Sequence, residues 1–191
     1  MTDYLLLINE ANRLPEGFDD TVTLVEAVNS EGDHLLIEEK TYQAFLRLQA
    51  DMLESEGRQI ELISVYRTIA QQQQTWDNYE TKFGLEYTKK YVAVPGYSEH
   101  HTGFAIDVSF MVDGKIARTA PVLLTLDHLY KPLQAKLAKY GFILRYPAGK
   151  EDITKIGYEP WHFRYLDDPE LAADITNRGI CFEEYWEEKA K

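Results

Sequence analysis

The chain has 191 residues, of which 45% are hydrophobic and 13% aromatic, enough apolar material for one globular domain with a sizeable core. Its 20 basic and 32 acidic residues leave a formal net charge of -12, which repels phosphate backbones and anionic membrane surfaces, so we expect neither nucleic acid nor a membrane as a partner. The single cysteine, Cys181, excludes an internal disulfide, and we predict a packed structural thiol.

The N-terminal residues do not resemble an export signal. Asp3 stands where a signal peptide has basic residues, and the apolar run at residues 5–8 is too short for an export or membrane segment. If Met1 is the natural start, we expect a cytoplasmic protein. The chain has no internal repeat, low-complexity tract or flexible linker, which predicts a single domain over residues 1–191.

The first predicted elements are a hairpin and a long helix. Residues 21–25 and 34–37 are β-rich and flank a turn that contains glycine, which is typical of a hairpin. Apolar residues then recur at steps of three and four over residues 38–56, which predicts an amphipathic helix that ends before Gly57.

The middle of the chain places two candidate residues beside strands. Residues 60–66 are β-rich, and Thr68 is suited to cap a helix that continues to about Phe83. Arg67 therefore lies at a junction between strand and helix. Residues 104–110 alternate apolar and small or polar side chains, which predicts a strand whose Asp107 points away from the apolar row.

The remaining pattern completes an α+β fold. A helix over residues 124–140 has to tolerate Pro132 and stops at Gly141. Further strands are predicted at residues 142–146 and 161–166, and helices at residues 169–177 and 182–189. We therefore predict an antiparallel sheet flanked by helices, with a metal site on its face.

Three residues offer the ligand set of a catalytic zinc ion. Such an ion generally takes three histidine or acidic ligands and leaves a fourth position for water, and His100, Asp107 and His162 supply them. His101 is a competing ligand, but neighbours in an extended segment project to opposite sides, so only one of the two histidines should face the metal. By spacing alone, scattered sets of this kind are more often structural residues with satisfied hydrogen bonds.

Two residues next to His162 could take part in the chemistry. Glu159 could face a metal-bound water as general base and later protonate the leaving amine, although a surface glutamate before Pro160 has the same pattern. Trp161 could exclude water from a substrate pocket, but a tryptophan in this position is more often part of the core.

If such a zinc site cleaves peptides at the chain end, it also needs a group that binds the terminal carboxylate of the substrate. The guanidinium of Arg67 can hold a carboxylate through two parallel hydrogen bonds. Tyr66 and Ser98 could add neutral donors, although each is also typical of a strand or capping residue.

Three motifs together resemble those of the VanY-type D-alanyl-D-alanine carboxypeptidases, whose relatives include the bifunctional VanXY dipeptidase/carboxypeptidases. They are S-x-H-x-x-G-x-A-x-D at residues 98–107, E-x-W-H at residues 159–162, and Tyr66 followed by Arg67 upstream. Their shared order is more specific than any one motif. The resemblance runs from about residue 60 to residue 166.

The resemblance implies a role for each matched residue. It implies that His100, Asp107 and His162 bind zinc. It further implies that Glu159 is the catalytic base and that Arg67 stabilises the oxyanion or the substrate carbonyl.

The family pattern also changes the expected carboxylate anchor. It assigns the terminal carboxylate to Gln72 and Ser98, so Arg67 has two possible roles at this point. Val65 stands where many relatives have glycine, and His101 where glutamine is frequent. These departures leave the substrate preference open.

The expected function is that of a zinc-dependent D,D-carboxypeptidase/dipeptidase. Its substrates would be small peptidoglycan precursor peptides that end in D-alanine. One alternative is an L,D-carboxypeptidase acting on tetrapeptide stems, which no motif residue distinguishes. Another is a non-catalytic, zinc-containing interaction domain like the hedgehog-type relatives of this fold, against which Glu159 and Arg67 argue.

Overall fold

The structure, a computed structural model, describes residues 2–189, in which short strands alternate with helices. Met1, on which the expected cytoplasmic location depends, and residues 190–191 of the predicted domain lie outside the described residues. The strands are β1 (Leu24–Val28), β2 (His34–Glu38), β3 (Ile60–Ser64), β4 (Ala105–Val112), β5 (Lys115–Ile116), β6 (Phe142–Leu144) and β7 (His162–Tyr165). The helices are α1 (Glu39–Glu56), α2 (Ile69–Phe83), α3 (Leu85–Tyr91), α4 (Ala120–Thr125), α5 (Asp127–Gln134), α6 (Glu151–Thr154), α7 (Pro169–Arg178) and α8 (Phe182–Lys189), and 3-10 turns cover Phe18–Thr21, Glu99–Thr102 and Leu137–Tyr140.

An antiparallel sheet forms the centre of the fold. Its strands follow the order β3-β4-β7-β6, and the short strand β5 pairs with the end of β4. The predicted hairpin is present as a separate two-stranded sheet of β1 and β2. Every strand pairing among residues 2–189 is antiparallel. The predicted α+β class with an antiparallel sheet flanked by helices is confirmed.

The main core lies between α1, α5 and the sheet. Complete burial of one large apolar side chain stabilises a fold by about 1.5–3 kcal/mol. The buried core residues of these elements include Ala44, Phe45, Leu48 and Met52 of α1, Ile106, Val108 and Phe110 of β4, and Tyr130 and Leu133 of α5. Across the described part of the chain, no helix is both long enough and apolar enough to cross a membrane.

A second apolar cluster joins the two ends of the described chain. It contains Leu7, Ile143, Leu166, Ala172, Ile175, Phe182 and Tyr185. Cys181 lies just before α8 with 1% of its surface exposed, as expected for a packed thiol. Trp186 Nε1 donates to Leu5 O at 2.6 Å. The N-terminal segment is therefore fixed to α8.

The strand register brings the two predicted motifs together. Asp107 of β4 lies directly opposite His162 of β7, and Ser64 at the end of β3 lies opposite Asp107 on its other side. Directly paired residues of antiparallel strands have Cβ atoms about 4.5–5.5 Å apart. Residues distant in sequence thus meet because three strands pair in this order.

The helix predicted over residues 124–140 is wrong as a single element. The structure divides this stretch among α4, α5 and the turn Leu137–Tyr140. Pro132 lies inside α5 and has no N–H for a helical hydrogen bond, and α5 ends two residues later. Gly141 follows the final turn in the left-handed region, as the predicted stop requires.

Several short elements near the motifs were not predicted from the sequence. Helices α3 and α6 and the turn Glu99–Thr102 span 7, 4 and 4 residues, too few to display a helical repeat. The segment containing His100 and His101 is therefore a 3-10 turn and not extended as expected. Strands β3, β6 and β7 are also shorter than predicted, ending at Ser64, Leu144 and Tyr165.

Candidate metal centre

One pocket contains most of the predicted site. It has a volume of about 630 Å³ and is lined by residues of β3, β4 and β7, by the segment before α2 and by the turn before β4. All of the predicted site residues line it except Gln72.

The three predicted metal ligands converge in this pocket. Their nearest ligand atoms all lie within 4.8 Å of one another. His100 Nε2 is 3.2 Å from Asp107 Oδ2, and His162 Nδ1 is 3.1 Å from Asp107 Oδ1. Both histidine side chains are buried, and 13% of the Asp107 side chain is exposed. The sequence-distant residues therefore form one compact donor set.

The backbone determines which nitrogen of His100 faces the cluster. His100 Nδ1 lies 2.6 Å from the carbonyl oxygen of Val65. A carbonyl only accepts hydrogen bonds, so Nδ1 carries the proton and Nε2 keeps its lone pair directed towards Asp107. In His162 it is Nδ1 that faces the cluster. The two histidines thus present different ring nitrogens.

The donor set fits a zinc ion. Asp107 Oδ1 is buried and has no hydrogen-bond partner within residues 2–189, although His162 Nδ1 is close by. A divalent cation among these atoms would be bound by this oxygen and by the lone pairs of His100 Nε2 and His162 Nδ1. Two imidazoles and one carboxylate are typical ligands of catalytic zinc, which keeps a further position open.

Burial and neighbouring charges act differently on the groups of the cluster. Burial lowers the pKa of His100 to about 4, which keeps the ring neutral and able to bind a cation near neutral pH. Burial also lowers the pKa of His162, but the nearby carboxylates of Asp107, Glu99 and Glu159 raise it to about 9. Cation binding at His162 Nδ1 would therefore release a proton.

Glu159 lies beside the donor set, just before the start of β7. Its Oε2 is 3.4 Å from His162 Nδ1, and its backbone N–H donates to Tyr146 O at 3.2 Å. Burial raises the pKa of Glu159 to about 8, against the opposing charge of His162. A nearby divalent cation would favour the ionised form. This carboxylate is close enough to accept a proton at the cluster.

Arg67 is attached to the turn that carries His100. Its N–H donates to His100 O at 3.0 Å, and its carbonyl oxygen lies 2.6 Å from His101 Nδ1. Arg67 Nε is buried without a hydrogen-bond partner among the described residues. Burial lowers the pKa of Arg67, which the charges of Asp107 and Glu159 oppose. The side chain therefore brings positive charge and an unused donor to the pocket.

His101 turns away from the donor set for a different reason from the one expected. Its two ring nitrogens contact the backbone, because Nδ1 lies against Arg67 O and Nε2 accepts from Gly96 N–H at 3.0 Å. His101 therefore joins Arg67 to the preceding loop. The two histidines point apart because of these contacts and not because the segment is extended, since it forms a 3-10 turn.

The predicted substrate-binding residues occupy different positions around the pocket. Ser98 is buried, and its Oγ accepts from His100 N–H at 3.3 Å. Tyr66 directs its hydroxyl to Asp19 at 3.1 Å. Trp161 is 4% exposed and belongs to the main core while bordering the pocket. These three remain candidates for substrate contact.

Gln72 lies behind the pocket lining. It is fully buried in α2, where its Nε2 donates to Ala93 O at 2.7 Å. Its Oε1 has no hydrogen-bond partner within residues 2–189. The side chain therefore supports the backbone at Ala93, which lines the pocket. To contact a substrate, Gln72 would have to extend past this lining.

A buried ionic network that the sequence did not predict lies behind His162. Glu99 Oε1 accepts from Arg145 Nε and Arg164 Nη1, each at 2.8 Å, and Arg145 also forms two hydrogen bonds with Glu183. The available signal was the placement of both arginines in apolar strand segments, since buried charges need partners. Nothing in the spacing identifies Glu99 or Glu183 as those partners.

Comparison with known proteins identifies related sequences and structures. Residues 34–168 match the family model VanY, described as D-alanyl-D-alanine carboxypeptidase. The chain is 38% identical over 186 residues to the bifunctional D-Ala-D-Ala dipeptidase and D-Ala-D-Ala carboxypeptidase VanXYC of Enterococcus gallinarum. The aligned region covers 95% of this chain and 92% of that protein.

Two solved structures share the fold. One is a variant of the vancomycin-resistance D,D-pentapeptidase VanY in complex with Zn(II), with a TM-score of 0.79, 31% identity and coverage of 96% of this chain and 98% of that one. The other is the LdcB LD-carboxypeptidase, with a TM-score of 0.74, 33% identity and coverage of 96% and 86%. The enzyme class and the relationship predicted from the motifs are confirmed. The chain belongs to the VanY family of D-alanyl-D-alanine carboxypeptidases.

Proposed function

We propose that this protein is a zinc-dependent D,D-carboxypeptidase/dipeptidase that removes the terminal D-alanine from peptidoglycan precursor peptides and splits free D-Ala-D-Ala. The observation that carries the proposal is the position of Glu159, whose carboxylate lies 3.4 Å from His162 Nδ1 beside the three-residue donor set. A cluster that served only structure would not need Glu159 as a second carboxylate in the same pocket. Arg67 adds a cationic donor to the same pocket.

The residues proposed to hold the zinc ion are His100 through Nε2, Asp107 through its carboxylate and His162 through Nδ1. A bound zinc ion supplies a Lewis acid and lowers the pKa of water into the neutral range. The hydrogen bond from His100 Nδ1 to Val65 O fixes one ligand before the ion binds.

Glu159 is proposed as the general base and then the general acid. In its ionised form it accepts a proton from the attacking water as the C–O bond forms. The same carboxyl group later donates that proton to the leaving nitrogen as the C–N bond breaks. Its burial keeps bulk water from competing for the proton.

Arg67 is proposed to stabilise the negative charge that develops on the substrate carbonyl oxygen. A donor fixed before the reaction stabilises this charge without reorganisation. The backbone contacts of Arg67 with His100 and His101 fix the point from which its side chain enters the pocket. Ser98, Tyr66 and Trp161 are proposed to contact the peptide near its terminal carboxylate. Gln72 is included on the family pattern alone.

The experiment that tests the proposal compares three substrates under identical conditions. The purified zinc-loaded protein is given a pentapeptide ending in D-Ala-D-Ala, a tetrapeptide ending in a single D-alanine, and free D-Ala-D-Ala, and released D-alanine is measured. We expect release from the pentapeptide and the free dipeptide. Release from the tetrapeptide alone would instead identify an L,D-carboxypeptidase, the activity named for the structural relative LdcB. Zinc binding without release from any peptide would favour the interaction domain.

We further propose that residues 1–191 act as one peptidase domain in the cytoplasm, without a nucleic acid or membrane partner. The net charge of -12 supports the absence of anionic partners, and the lone Cys181 requires no oxidising compartment. Fractionation of the producing cells with an antibody to the native protein tests the location, and recovery with the membrane or secreted fraction would contradict it.

A further inference from the structure

The buried face of His162 has an unexplained neighbour. While its Nδ1 faces Asp107 and Glu159, its Nε2 points to the interior and lies 3.8 Å from Glu99 Oε2. Both of these atoms are buried, and neither has a hydrogen-bond partner within residues 2–189. Two unpartnered polar atoms that face each other in an interior are expected to form a pair.

The distance between them is close to that of a hydrogen bond. An N–H···O bond has a length near 3.0 Å, so a movement of about 0.8 Å would form it. If Nδ1 of His162 holds a metal ion through its lone pair, Nε2 must carry the ring proton and requires an acceptor. Glu99 Oε2 is placed to be that acceptor.

Glu99 is itself fixed in orientation. Its Oε1 accepts from Arg145 Nε and Arg164 Nη1, which leaves Oε2 directed at His162. The two guanidinium groups therefore hold the carboxylate from behind. The same network continues to Glu183 of α8 through Arg145.

We propose that Glu99 is a positioning residue that keeps His162 in the tautomer with the proton on Nε2 and so keeps Nδ1 available for zinc. His100 has its proton placed by a backbone carbonyl, and Glu99 performs the equivalent task for His162 with a side chain. The inference rests on the proposed function, in which His162 is a zinc ligand. Partners of this kind typically contribute 10–100-fold to metal affinity.

The substitution Glu99→Gln tests the proposal because the two ends of the glutamine amide differ: the oxygen accepts hydrogen bonds and the NH2 group donates them. Two guanidinium groups can only donate, so the amide oxygen must face Arg145 and Arg164, and its NH2 group must face His162. A donor at that position favours the tautomer with the proton on Nδ1, and this tautomer has no lone pair on Nδ1 with which to bind zinc. We expect zinc affinity, measured by competition with a chromogenic chelator, to fall roughly 10–100-fold.

The matched control is Glu183→Gln, which disturbs the same arginine network without touching His162. We expect this variant to lose stability and to keep native zinc affinity. Equal loss of affinity in both variants, or native affinity in folded Glu99→Gln, would overturn the positioning role. If the wild-type protein itself binds no zinc, the proposed function fails together with this inference.

A second readout covers the case in which Glu99→Gln does not fold. Nitrogen-15 NMR of the histidine rings in the zinc-loaded wild-type protein reports which nitrogen carries each proton. We expect His162 to be protonated on Nε2, with a slowly exchanging proton hydrogen-bonded to a carboxylate. Glu99→Asp then replaces the glutamine variant in the affinity measurement, because it keeps the negative charge but withdraws the carboxylate by one methylene. Native zinc affinity in this variant, or a proton on Nδ1 of His162 in the wild type, would overturn the proposal.

Discussion

At the scale of single residues, the proposed chemistry depends on the carboxylate of Glu159. Glu159 lies at the donor set, 3.4 Å from His162 Nδ1. Its substitution Glu159→Gln keeps the shape but cannot accept the proton, so we expect kcat to fall by about 10²–10⁴. Steady-state release of D-alanine measures this loss.

Two controls belong with this variant. Its zinc content should remain at one equivalent, because the donor set is intact. Glu151→Gln makes the same change at an exposed position of α6 and should leave the rate unchanged. Native turnover by Glu159→Gln would remove Glu159 from the role of base.

A substitution of Arg67 tests which of two roles this residue has, stabilising the carbonyl oxygen or binding the terminal carboxylate. Arg67→Lys keeps the charge but loses the planar fork of donors. If Arg67 stabilises the carbonyl oxygen, kcat should fall about 10²–10³-fold with a small change in KM. If it instead binds the terminal carboxylate of the substrate, KM should rise while kcat is retained. Kinetics with the pentapeptide separate the two, and a raised KM alone would contradict the role proposed above.

The convergence of the three candidate ligand residues could be predicted at this scale because their types and order can be read directly from the sequence. The register of β4 and β7 then explains why Asp107 meets His162. Glu99 could not be predicted as a partner of His162, because its orientation depends on Arg145, which follows β6, and on Arg164 of β7. For Gln72 the family pattern and the fold disagree. The pattern assigns this residue to substrate binding, whereas the fold places it behind the pocket lining.

At the scale of elements, the turn Glu99–Thr102 depends on the glycine that ends it. Gly103 has φ +74°, and a Cβ there would lie 3.0 Å from Glu38 N and 3.1 Å from Glu38 Cβ. Gly114 has φ +78° but nothing within 4 Å of an added Cβ. Both alanine variants incur the left-handed strain of about 1–2 kcal/mol. Only Gly103→Ala adds a steric contact, expected to cost a further 1–3 kcal/mol or so.

Urea unfolding of the two variants measures this difference in the free energy of unfolding. We also expect Gly103→Ala to weaken zinc binding, because the turn carries His100, whereas Gly114→Ala should not. Equal stability of the two variants would show that the turn adjusts without strain.

Elements with a long apolar repeat could be predicted, and short ones could not. The repeat of α1 and the capping residue Thr68 of α2 are both local signals, and Thr68 Oγ1 indeed accepts from Gln71 N–H. The stretch 124–140 has a helical repeat, yet Pro132 interrupts its hydrogen bonds. The turn that carries His100 is stabilised by contacts with Arg67 and Val65, which local sequence does not reveal.

At the scale of the whole molecule, a buried ion network ties both ends of the described chain to the sheet. Arg164 donates to the carbonyl oxygens of Tyr4 and Leu6, and Arg145 pairs with Glu183 of α8. The sequence predicted an antiparallel sheet but not the strand order β3-β4-β7-β6, because packing between distant segments determines that order. These ionic contacts likewise depend on the completed fold.

Substitutions of two adjacent glutamates of α8 test how much this network contributes to the free energy of unfolding. Glu183 and Arg145 have side-chain exposures of 7% and 0%, whereas Glu184 and Lys150 have 28% and 24%. Breaking a buried pair leaves an uncompensated charge, so Glu183→Gln should lower the free energy of unfolding by roughly 3–5 kcal/mol. Glu184→Gln should cost about 1 kcal/mol or less. Thermal and urea unfolding compare the variants, and equal losses would contradict a structural role for the network.

The central claim is that one zinc ion at His100, Asp107 and His162 makes this protein a D,D-peptidase. The most direct measurement records zinc content and D-alanine release from a D-Ala-D-Ala pentapeptide on the same samples, after removal of metal by a chelator and during titration with Zn²⁺. We predict that release is lost with the metal and returns in proportion to zinc up to one equivalent. Undiminished release by the metal-free protein would contradict the claim.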